Sequence, residues 1–198
     1  MNDPKIKIAE KRIKELTDSG DLRKLSDQEK DKISQFFKDK SKNRLETARL
    51  VYGASKNNPN YCDFSEVVAA AYYSMYYIVH SFLALNYSTK LRENVRGVHI
   101  ITEYILLQYL VNTNKLAKHL YDKYMATLET TAHIVELQLQ DFQGDAFEFV
   151  KMYDKSRSAR EIFTYSVTPS VEEYHARVAL ENAEEFINTI RQMMIKKH

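Results

Sequence analysis

Apolar positions recur at helical spacing along almost the whole chain. Ile6, Ala9, Ile13 and Leu16 follow one another at intervals of three and four between charged residues, a narrow apolar stripe on an otherwise polar helix. Asp3-Pro4 sets a capping side chain before a proline at the first helical position, and Ser19-Gly20-Asp21 ends the segment. Ser26-Asp-Gln-Glu29 is a capping box for a second helix. Ile33, Phe36, Phe37, Leu45, Ala48, Val51 and Tyr52 mark its apolar side, and it reaches about Lys56 before the Asn57-Asn58-Pro59-Asn60 turn.

The third segment differs in kind. From Val67 to Leu85 there is no Asp, Glu, Lys or Arg, and Tyr72, Tyr73, Tyr76 and Tyr77 fall within six positions. A helix that is apolar around its whole circumference is enclosed by other helices or by lipid. Asp63 caps its start. Small Ala69, Ala70, Ala71 and Ser74 let neighbours approach, and the tyrosine rings predict a core in which their hydroxyls find partners. The uncharged run, which continues to Thr89, is long enough to span a bilayer, but its tyrosines, serines and His80 favour a buried helix over a hydrocarbon span.

Residues 88–97 are polar and read as a loop closed by Gly97. Val98–Val111 is a further apolar helix, and Lys115 to about Phe142 a longer amphipathic one. Gln143-Gly144-Asp145 interrupts the pattern, Ala146 to about Phe163 resumes it, and Tyr165–Pro169 is a connector. Ser170-Val-Glu-Glu173 is a capping box for the last helix, whose buried stripe is Ala179, Ala183, Phe186, Ile187, Ile190 and Met194. With no strand alternation and few turn residues (four Gly, three Pro), the expectation is an all-α, up-and-down bundle.

Composition narrows the setting. The single Cys62 excludes an internal disulfide framework, and the charged N-terminus lacks the apolar region of a signal peptide, so a reducing cytoplasm is expected. Net charge is only +2, but residues 1–45 carry thirteen Lys or Arg against nine Asp or Glu. Lys38, Lys40, Lys42 and Arg44 lie close together there, as a surface for phosphates or as the solvated face of a helix.

Candidate chemistry is sparse. No HExxH pair or paired CxxC is present, and Glu172-Glu-Tyr-His175 is a single motif where a di-metal bundle needs two such motifs and two more glutamates. No metal or cofactor is called for. His80, in the middle of the tyrosine-rich helix, reads either as a core histidine bonded to a tyrosine or carbonyl, or as a ligand or proton-transfer group. Two spacings suit phosphodiester chemistry, in which an arginine holds the phosphate and a histidine moves a proton. One is Arg92-x6-His99; the other is Arg157 with Arg160, ahead of Phe163 and Tyr165. The competing reading of either is structural, through carboxylate pairing or helix C-capping.

Several segments resemble the HEPN superfamily, the higher eukaryotes and prokaryotes nucleotide-binding domain. Ala70-Ala-Tyr-Tyr-Ser-Met-Tyr-Tyr77 with Ser81-Phe-Leu-Ala84 is similar to its tyrosine-rich second core helix. Asn43-Arg-Leu-Glu-Thr-Ala-Arg-Leu50 resembles the first core helix, and residues Val171 to Ile187 the closing one. Val95-Arg96-Gly97-Val98 resembles the family's His-Arg-Gly-Val-Ile run, with Val95 where the family has histidine. The likeness covers roughly residues 42–194 and leaves residues 1–41 as an N-terminal helical extension of a 42–198 bundle.

What the resemblance implies is a helical bundle, commonly a homodimer, that binds nucleotides or RNA and is found alone or beside a minimal nucleotidyltransferase as a toxin–antitoxin pair. Active members are metal-independent ribonucleases with an arginine and a histidine four to six residues apart late in the chain. Here Arg160 matches the arginine and Tyr165 stands in place of the histidine. A phenol is a poor base at neutral pH. The expectation is therefore a binding module without catalysis, with Arg157, Arg96, Arg92, His99 and His80 as candidate binding residues. The alternatives are an endoribonuclease acting through Arg160 and Tyr165, and a non-catalytic scaffold.

Overall fold

The computed structural model describes residues 4–58, 60–93, 95–138 and 173–195. Among them are six α-helices: α1 (Pro4–Asp18), α2 (Asp27–Asn57), α3 (Phe64–Tyr87), α4 (Val98–Leu106), α5 (Lys118–Gln138) and α6 (Glu173–Ile195). Two three-residue strands, β1 (Leu22–Lys24) and β2 (Thr89–Leu91), pair antiparallel. The fold is helical with one small ribbon, and the ribbon is a departure from the polar loop expected at 88–97. Three residues are too few for alternation to show in sequence, and only the return of the chain beside β1 creates the strand.

The helix boundaries follow their chemistry. Ser26 caps α2 with a complete capping box: its Oγ accepts from Glu29 N, and the Glu29 carboxylate accepts from Ser26 N at 2.9 Å. Asp63 Oδ1 accepts from Glu66 N at 3.0 Å and starts α3. Ser88 ends α3 in the left-handed region, and Gly97 takes φ +70 immediately before α4. The apolar helix expected over 98–111 is α-helical only to Leu106. Leu107–Val111 widens into a π turn, with Asn112 N bonding Leu107 O and Lys115 N bonding Leu110 O.

α3 is the axis of the molecule. Val68, Ala71, Tyr72, Met75, Ile78, Val79, Phe82 and Leu83 are all buried, against α2 on one side and α6, α5 and α4 on the others. Fully burying a side chain such as Ile78 or Leu83 contributes about 1.5–3 kcal/mol. Among the described helices α3 is the one long and apolar enough to cross a membrane, and most of that stretch is enclosed by protein. The expected stripes of α1 (Ile6, Ala9, Ile13, Leu16) and α6 (Ala179, Ala183, Phe186, Ile187, Ile190, Met194) are all buried. α1 packs on α4 and the π turn.

α2 runs unbroken for 31 residues through position 41, so continuous helix joins the N-terminal segment to the bundle. The helix expected over 146–163, the 165–169 connector and the capping box at Ser170 lie outside the described residues or at their edge.

Candidate functional site

The site begins with four small side chains. Ser34, Ser41, Ala48 and Ser55 are buried on α2 at intervals of seven, close to two helical turns, and so lie on one line. Ser41 Oγ donates to Ser74 O at 2.8 Å, and Ser81 Oγ donates to Ser34 O at 2.8 Å. Because the Ser81 proton is used there, the 3.0 Å contact between the two hydroxyls has Ser34 as donor. Ser55 Oγ accepts from Asp63 N at 2.9 Å. These pairings let the α2 and α3 backbones approach closely along an antiparallel seam.

Large rings do not fit such a seam and sit on its flank. Phe36, read from the sequence as part of the apolar side of α2, is 54% exposed. Of the four tyrosines expected in the core, only Tyr72 is fully buried; Tyr73, Tyr76 and Tyr77 are half-buried. Phe37 stacks on Tyr77 with centroids 6.2 Å apart and planes at 22°, and Phe36 meets Phe37 edge-on at 5.4 Å. Cations are threaded between them. Lys40 Nζ lies 5.1 Å from the Phe36 centroid and 5.7 Å from that of Tyr77. The Arg44 guanidinium lies 5.8 Å from the Tyr73 ring and 3.5 Å from the Glu66 carboxylate. Phe36, Lys40 and Arg44 are each four apart, one helical row, and this signal was present in the sequence.

Behind the rings is a polar network. Tyr72 Oη lies 2.6 Å from His99 Nδ1 and 3.4 Å from Tyr124 Oη. The rings of Tyr73 and Tyr76 flank His99, and Tyr76 lies 4.5 Å from the His80 ring. His80 Nε2 is 3.0 Å from Thr102 Oγ1, which itself donates to Val98 O at 2.7 Å. The Thr102 proton being used, His80 donates through Nε2. Burial depresses the histidines, His99 to about 4 and His80, with a further push from His99, to about 3. Burial also pushes the Tyr72, Tyr76 and Tyr124 phenols up. Burial thus favours the neutral form of both histidines, and the hydrogen bonds of the network join α3 to α4 and α5. His80 is buried, and its hydrogen-bond partner is a threonine.

The structure does not join Arg92 to His99. Arg92 follows β2 and lines a cleft with Asp21, Arg23, Lys90, Glu93 and Val95, whereas His99 is held among the rings of Tyr72, Tyr73 and Tyr76. Arg96 is exposed on the loop between them. Arg157, Arg160 and Tyr165 lie outside the described residues. Among the described residues no group of three His, Cys, Asp or Glu side chains is placed to hold a metal ion. Comparison with protein-family models, with curated proteins and with solved structures finds no match to this chain.

Proposed function

We propose that this chain is a HEPN-like bundle that binds single-stranded RNA or a nucleotide without cleaving it. The observation that carries this reading is the row of alternating rings and cations on the α2–α3 flank: Phe36, Lys40, Tyr77, Tyr73 and Arg44. Bases stack on such rings with little regard to sequence, each worth about 1–3 kcal/mol. Lys40 and Arg44, with Lys38 and Lys42 on the same helix, supply charge for the phosphates. His80 and His99 are neutral and engaged with Thr102 and Tyr72, which supports binding over proton transfer. The homodimer that the resemblance implies belongs to the same reading.

The test is fluorescence anisotropy with a labelled single-stranded oligonucleotide across a salt series. Salt-sensitive binding is expected, weakened about tenfold or more by Lys40→Ala with Arg44→Ala. Binding that ignores this pair of substitutions overturns the assignment to this face. Incubation of the same RNA in EDTA reads the catalytic alternative, and cleavage abolished by Arg160→Ala overturns the non-catalytic reading. Sedimentation reads the assembly, with a species at twice 23.2 kDa expected.

A further inference from the structure

The small ribbon brings like charges together. Its register pairs Leu22 with Leu91, Arg23 with Lys90 and Lys24 with Thr89. Leu22 and Leu91 are buried on the inner face, so strand alternation turns Arg23 and Lys90 outward, directly opposite one another. Like charges facing each other across a strand pair repel. Arg92 N donates to Asp21 O at 2.8 Å, which extends the pairing by one rung and returns Arg92 to the outward side, two residues beyond Lys90. The three cations line a cleft of about 440 Å³ with Asp21, Glu93 and Val95.

The acids near this cleft compensate only partly. Arg23 reaches Glu29 at 3.0 Å and Lys90 reaches Glu93 at 2.9 Å. The Glu93 side chain is 84% exposed and has no packing to hold it on Lys90. Asp21 Oδ2 accepts from Ser19 Oγ at 2.9 Å. Among the described residues no carboxylate pairs with Arg92. The lining carries no ring to stack on a base and one apolar side chain, Val95, so the chemistry offered is phosphate recognition by two guanidinium forks and an ammonium.

We propose that this cleft is a site for a small diphosphate, its two phosphate groups taken by Arg23, Lys90 and Arg92 after Glu93 swings off Lys90. The anion relieves the Arg23–Lys90 repulsion and satisfies the Arg92 fork. The site is built from Asp21 and Arg23 in the N-terminal segment and from Lys90, Arg92, Glu93 and Val95, and it shares no residue with the ring–cation row. Its success or failure is therefore independent of the RNA-binding reading.

Isothermal titration of the full chain at low ionic strength, with inorganic pyrophosphate in one arm and ADP in the other, tests this. Saturable binding is expected, weakened about tenfold or more by Arg92→Ala and by Lys90→Ala. Glu93→Gln removes the competing carboxylate and is expected to tighten binding about threefold to fivefold, a gain that a damaged fold does not produce. Equal affinities in the two arms identify a free diphosphate as the ligand class; a tighter ADP arm with the same dependence on Arg92 identifies a nucleotide, and both support the site. No saturable binding in either arm, or binding that survives Arg92→Ala and Lys90→Ala unchanged, overturns it.

Discussion

The phenol of Tyr72 meets the imidazole of His99 at 2.6 Å, and this contact joins the middle of α3 to the first turn of α4. Tyr124 of α5 stands 3.4 Å from the same hydroxyl, so one oxygen ties three helices together. Removing it as Tyr72→Phe leaves the ring in place and deprives buried partners of a hydrogen bond. The expected loss is about 1–3 kcal/mol, read as a lower urea midpoint at unchanged slope. A midpoint equal to that of the parent protein would remove the network from the account of stability.

Acid is expected to destabilise this protein through buried His80 and partly buried His99. In the folded chain His99 is held at about 4 and His80 at about 3 by burial, against an ordinary value of 6.5. Below pH 6.5 the unfolded chain binds these protons and the folded chain does not, so stability is whole above that pH and is lost as pH falls towards 4. The exposed carboxylates whose values are lowered, Asp27, Glu29, Glu93 and Glu185, act in the same direction but at pH values below their ordinary 4.5 or less. The interval between pH 6.5 and 4.5 therefore isolates the histidines. Urea midpoints across that interval are expected to fall steeply in the parent and to stay flat in His80→Gln with His99→Asn.

Adjacent residues on α2 separate packing from surface charge. Ala48 has no exposed surface in the seam with α3, and Ala48→Leu overpacks it at an expected cost of about 1–3 kcal/mol or more. Arg49, next in the chain, makes a 2.8 Å ion pair with Glu184 of α6, but both side chains are more than a third exposed. Arg49→Ala is expected to cost less than about 1 kcal/mol and to lose even that in high salt. Thermal melts of the two variants decide the order, and the reverse order would mean that the two helices are not held together by the small-residue seam.

Rings and cations on the α2–α3 flank make different contributions to binding. Phe36→Ala is expected to weaken an oligonucleotide by about 1–3 kcal/mol at every salt concentration, because stacking is not screened. Lys40→Ala is expected to weaken it mainly at low salt and to flatten the slope of affinity against salt by about one phosphate contact. Equal slopes in the two variants would show that Lys40 makes no phosphate contact.

Most of the described helices, and the buried stripes of α1 and α6, were legible in the residues alone. The capping signals at Ser26 and Asp63, the 3-4-3 spacing of Ile6 to Leu16 and the Ala179–Met194 stripe depend on local chemistry, and each is realised. Tertiary structure decided what periodicity alone could not. Ser34, Ser41, Ala48 and Ser55 take the α2–α3 seam, Phe36 stands exposed, Tyr77 lies beside Phe37 and Lys40, and Tyr73 and Tyr76 pack partly buried against the core. The chain's return beside β1 makes strands of residues that carry no strand pattern, and turns Arg23, Lys90 and Arg92 to one side. Spacing placed Arg92 with His99; packing separated them, because burial drew the imidazole under α3 while its charge kept the guanidinium at the surface.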